Sequence, residues 1–106
     1  MPKYLLQASY TTEGLKGLLK EGGSSRRATV EQLARGLGGE IEAFYYAFGE
    51  HDVYAIAEMP DETTATAVAL TIGATGSVAI KTTVLITPEA VDEAVKKTIP
   101  YRPPGT

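Results

Sequence analysis

Residues 41–48 and 53–59 are two runs rich in aromatic and β-forming side chains, and only Gly49-Glu50-His51-Asp52 separates them. A glycine and acids between two such runs is a hairpin signal. The middle of the chain is therefore expected to be antiparallel sheet, and the other elements must be arranged around that hairpin. The same four residues place the chain's one histidine, with a carboxylate on either side, at the end of the sheet.

The flanking segments complete a recognisable order. Residues 4–10 read as a first strand. Thr11, Thr12 and Glu13 supply hydroxyl caps and an acid for a helix start, and Leu15, Leu18 and Leu19 follow at helical spacing. Gly22-Gly23-Ser24-Ser25 interrupts this helix. A second helix is expected from about Arg26, capped by Ser24 or Ser25, and ended by Gly36, Gly38 and Gly39. After the hairpin, Asp61 caps a helix that stops near residues 73–76. Residues 78–86 read as the fourth strand, and Thr87-Pro88-Glu89 opens a last helix with proline in its first position. Residues 99–106 carry prolines that forbid helix and form an extended tail. The order β-α-β-β-α-β plus a C-terminal helix is the ferredoxin-like arrangement, an α+β fold with a four-stranded antiparallel sheet and a split first helix. At 106 residues the chain is read as a single domain.

Composition narrows the partners. A formal net charge of −3 leaves no basic stripe to displace counterions from phosphates, so no nucleic-acid partner is expected. There is no cysteine, and with one histidine no metal site and no resident cofactor are expected. No apolar run is long enough to span a bilayer and no leader is evident, so a cytoplasmic, membrane-free protein is expected.

Strand alternation assigns Tyr4, Leu6, Ala8, Ile41, Ala43, Tyr45, Val53, Ala55, Ala57, Val78, Ile80, Thr82 and Val84 to the helix-covered face. The opposite face then carries Leu5, Gln7, Ser9, Glu42, Phe44, Tyr46, Phe48, Tyr54, Ile56, Glu58, Lys81, Thr83 and Leu85. This second face is too apolar to sit bare in water. A second copy of the chain is the expected cover, giving a homodimer or higher oligomer. Such pairing leaves a pocket around Gln7, Tyr54, Glu58 and Lys81, or a seam in which those polar groups only pair with one another.

Two further clusters stand out. His51, flanked by Glu50 and Asp52, is a candidate general base. Neighbouring strand residues point to opposite faces, however, so His51 and Asp52 are not expected to form a dyad. Ser24, Ser25, Arg26 and Arg27 at a helix start combine free amides, hydroxyls and guanidiniums, a candidate anion site. The alternative there is a helix break whose arginines face solvent or pair with acids. No P-loop lysine follows the glycines.

The segments Lys16-Gly17-Leu18-Leu19-Lys20-Glu21-Gly22-Gly23-Ser24, Leu37-Gly38-Gly39 and Gly49-Glu50-His51-Asp52 resemble the GYD domain family, and the ending Lys97-Thr98-Ile99-Pro100-Tyr101-Arg102-Pro103-Pro104-Gly105 resembles one group within it. Gly49 and Asp52 match the family's hairpin, while His51 stands where tyrosine is usual. The resemblance implies the dimeric α/β-barrel type of ferredoxin-like fold. It implies no defined activity, since that fold type includes cofactor-independent oxygenases, isomerases, haem-handling proteins and dimers that only bind. Two functions are therefore carried forward. One is a homo-oligomeric small-ligand-binding or interaction module. The other is a cofactor-independent enzyme acting on a small anionic or aromatic metabolite, with His51, Tyr54, Glu58 and Lys81 as acid–base groups. Haem binding would have His51 as its one histidine ligand.

Overall fold

The computed structural model describes residues 1–106. The elements run β1 (Lys3–Tyr10), α1 (Thr12–Glu21), α2 (Gly23–Gly36), β2 (Glu40–Tyr46), β3 (Val53–Glu58), α3 (Glu62–Ala74), β4 (Val78–Leu85) and α4 (Pro88–Val95). All strand pairs are antiparallel and the sheet order is β2-β3-β1-β4, as the ferredoxin-like reading requires.

Three helices begin on a side-chain oxygen. Thr11 accepts from the Gly14 amide, Asp61 from Thr64 and Thr87 from Ala90. Each of these bonds satisfies one of the amides that a helix start leaves without an internal partner. Helix α2 departs from expectation. It starts at Gly23, and neither Ser24 nor Ser25 caps it. Gly22 does, with no side-chain bond, at φ 85°. That left-handed angle lets glycine end α1 and start α2 in a single residue, so both serines lie inside the first helical turn.

The core lies between the sheet and the helices. Tyr4, Ala34, Ala57, Met59, Ala65 and Val68 form its buried cluster, with Leu6, Ile41 and Ile72 packed against it. Strand alternation holds for β1, β3 and β4 but fails in β2. Ile41 faces Ala57, yet Ala43 faces Ile56, so one extra residue, Glu42, is inserted. This β-bulge reverses the strand's phase. Phe44 and Tyr46 therefore turn to the helices, opposite Ala55 and Val53, and Tyr45 turns outward opposite Tyr54. The expected faces of Ala43, Phe44, Tyr45 and Tyr46 are all exchanged.

Beyond β4 the chain leaves the body. The hydrogen bonds of residues 87–106 stay within that segment. The radius of gyration is 17.2 Å, against about 13 Å for a compact chain of this length. Val91, Val95, Ile99 and Tyr101 are exposed along this arm. No helix is long and apolar enough to cross a membrane.

Candidate functional site

The strand registers arrange the open face of the sheet in lateral rows. Tyr45, Tyr54, Gln7 and Lys81 lie side by side across β2, β3, β1 and β4. Three of the expected pocket residues, Gln7, Tyr54 and Lys81, thus stand together. The neighbouring row, Ala43, Ile56, Leu5 and Thr83, is mainly apolar. Beyond it come Glu40, Glu58, Lys3 and Leu85. Glu58 is four residues from Tyr54 along β3, roughly 13 Å at the rise of a strand.

Glu58 instead belongs to a charged corner. Lys3 Nζ lies 2.9 Å from Glu42 and 3.6 Å from Glu58. The hydrogen bond to Glu42 is the main reason that the Lys3 ammonium titrates above its ordinary range. The bulge delivers Glu42 to this corner. The other ion pairs involve Lys16, Arg26 and Lys96. Lys81 is exposed and takes part in none, which makes it the free cation of the open face.

The hairpin end separates His51 from Asp52. The Asp52 carboxylate accepts the Tyr10 amide at 2.8 Å, and the Asp52 amide donates to the Ala8 carbonyl at 2.8 Å. Asp52 thereby extends the β1–β3 ladder past the last paired residues. His51 turns the other way. Its Nδ1 is 3.2 Å from Ser9 Oγ, and its ring meets Tyr54 edge-on with centroids 5.8 Å apart. No His51–Asp52 dyad forms, in agreement with strand alternation, and Asp52 binds the body of the sheet rather than the loop tip. His51, Ser9, Tyr54, Gln7 and Lys81 make up one continuous polar tract on the open face. Ser9 is the member that sequence reasoning left out of the site. The signal for it was its place two residues after Gln7 on an alternating strand.

The glycine-serine-arginine segment is divided by the helix it starts. Adjacent helical residues point about 100° apart. Arg26 turns toward Glu21, 3.8 Å away, and toward Tyr10. Arg27 lies with Gly23, Ser24, Tyr45 and Tyr46 around a shallow surface depression. Tyr46 closes this end of the core, donating from its hydroxyl to the Gly23 carbonyl at 3.0 Å. Burial, with the Tyr10 phenol beside it, pushes the Tyr46 hydroxyl up to about 12. It is a donor at any physiological pH. Nowhere do three or more His, Asp or Glu side chains gather within reach of one metal ion.

No curated protein and no solved structure gives a significant match to the chain. The model of the GYD domain family matches residues 4–95, nearly the whole of the sheet and its helices, and the chain belongs to that family.

Proposed function

We propose that this protein is a homo-oligomeric module whose open sheet faces pair and hold a small ligand between them. The observation that carries the reading is the make-up of that face. An apolar row containing Ile56 and Leu5 adjoins a row in which Tyr45, Tyr54 and Gln7 lead to the unpaired Lys81. Tyr45 is 71% exposed in the single chain. Burying an aromatic or aliphatic side chain of this size stabilises by about 1.5–3 kcal/mol. A face with several of them gains most from a self-complementary cover, and two-fold pairing is the commonest way to provide one. Lys81 and the Tyr54 ring favour a small anionic or aromatic metabolite. Glu58, held in its corner by Lys3, serves the rim of the seam. Of the segment Ser24, Ser25, Arg26 and Arg27, Ser24 and Arg27 beside Tyr45 are a second place for an anion, while Arg26 turns away from them toward Glu21.

The contact between His51 Nδ1 and Ser9 Oγ favours a second reading. In it the pair works as an acid–base unit on a ligand lying over Tyr54, and the protein is a cofactor-independent enzyme. Asp52 is committed to the Tyr10 amide, so the histidine lacks an orienting carboxylate from its own loop.

Native and denaturing mass spectra of the freshly purified protein test the proposal. A multiple of the chain mass carrying an extra mass that disappears on denaturation, and that Lys81→Met no longer retains, supports it. A monomer under native conditions sinks it.

A further inference from the structure

On the other side of the sheet, a cavity of about 130 Å³ lies under the helices. Its lining is almost wholly apolar and comes from six elements, all four strands and helices α2 and α3, with Leu6 and Phe44 on the sheet side and Leu33 and Ile72 on the helix side. Two of the sheet residues that line it are buried alanines, Ala8 and Ala55, whose short side chains leave volume open. The bulge at Glu42 contributes as well, because it brings Phe44 to this face. Apolar cavities of about 150 Å³ stay dry and accept a benzene ring.

One charged side chain lines the cavity. Arg26, in the first turn and a half of α2, borders both this space and the neighbouring cleft between α1 and the start of β4. It therefore stands at the mouth, with Tyr10 beside it. Its present partner is Glu21 at 3.8 Å, with both side chains about a third or more exposed. That is a long, solvent-screened pair, which an entering carboxylate can replace. A guanidinium is suited to gripping a carboxylate through two parallel hydrogen bonds.

We infer that the space between the helices and the sheet is a binding site for a small aromatic or compact branched carboxylate. The ring or branch occupies the apolar cavity and the carboxylate lies on Arg26. This site is separate from the open sheet face and does not depend on the pairing proposed for it.

Methyl-resolved NMR titration of the intact protein tests the inference, with benzoate as the probe and toluene as its uncharged counterpart. Saturable shifts at the methyls of Leu6, Leu33 and Ile72 are expected with benzoate. Arg26→Gln should weaken benzoate binding about tenfold or more, the scale of a lost charge-assisted bond, and leave toluene binding unchanged. Val30→Phe, made from a helix residue that lines the cavity, should fill it and abolish both. The amide spectrum of each variant reports directly whether the fold is kept. Absence of saturable shifts at the lining methyls of the wild type overturns the inference. So does equal benzoate affinity in folded Arg26→Gln. Benzoate shifts confined to the methyls of Leu5, Ile56 and Thr83 also overturn it, and would place the ligand on the open face instead.

Discussion

The two faces of this sheet are made from the same four strands and have opposite characters. Under the helices, Ala55 and Ala57 are nearly sealed at 2% and 0% exposure, and the large ring of Tyr4 is buried at 3%. On the open side, Tyr45 protrudes, Lys81 is unpaired, and Leu5 and Ile56 are only half covered. On the covered face Ala8, Ala55 and Ala57 let the helices approach the middle of the sheet, and Tyr4, Phe44 and Tyr46 fill the space around them. On the other face Tyr45, Tyr54, Leu5 and Ile56 have no helix over them and suit contact with a separate surface. In the proposal made above, folding belongs to one face and association to the other. Substitutions on the two faces should then have different readouts.

The largest effect is expected from Tyr4→Ala. Emptying a buried aromatic position costs about 3–5 kcal/mol, and urea unfolding of the variant should show it. The matching change on the open face, Tyr45→Ala, should leave chain stability within about 0.5 kcal/mol at concentrations where the protein is dissociated. A comparable loss at both positions would break the comparison. Ile56→Asp comes next. It places an unpaired charge in the proposed seam, a change worth about 3–5 kcal/mol in buried settings. Association should weaken more than a hundredfold by sedimentation, with the circular dichroism spectrum retained.

Asp52→Ala removes the acceptor of the Tyr10 amide and should cost about 1.5–3 kcal/mol in urea unfolding. Its effect distinguishes the two halves of the hairpin tip, because His51→Ala, which loses a contact on the open face, should cost much less. Tyr46 gives a pH test. Its folded value is raised to about 12. The stability it contributes is therefore complete below the unfolded value of about 10 and is lost as pH rises from there through about 12. Tyr46→Phe should flatten that alkaline loss, as followed by unfolding curves and tyrosinate absorbance. The smallest effect is at Asp61. Hydrogen bonds from Thr64 hold its carboxylate below its ordinary value. Its contribution to α3 is present above the unfolded value and fades as pH falls through the lower folded one. An acid titration of Asp61→Ala should lack that step.

Much of the architecture was legible because local chemistry announces it. Thr11, Asp61 and Thr87 act as caps, Pro88 opens α4, and the glycines after α2 stop it, all as their residue types require. The family was legible from short glycine-containing segments spread over the chain. The phase of β2 was not. Residues 43–48 are apolar or aromatic without a break, so there is no polar alternation to reveal that Glu42 is an inserted residue. Nor were Ser24 and Ser25 readable as helix interior, since either is a good cap and only the backbone angle of Gly22 decides between them. On the open face, alternation within single strands brought Gln7, Tyr54 and Lys81 to the same side. Their common row, and the distance of Glu58 from it, depend on how strands far apart in sequence align. The Ser9–His51 contact and the cavity beside Arg26 have the same origin. Both form between segments remote in the chain.

The central claim is that the open face of the sheet is covered by a second copy. Sedimentation velocity across a concentration series, with wild type and Ile56→Asp run side by side, tests it most directly. The account predicts a wild-type species of at least twice 11.2 kDa and a folded Ile56→Asp monomer. A wild type that sediments as a single chain at every concentration, or a variant that associates as the wild type does, would contradict it.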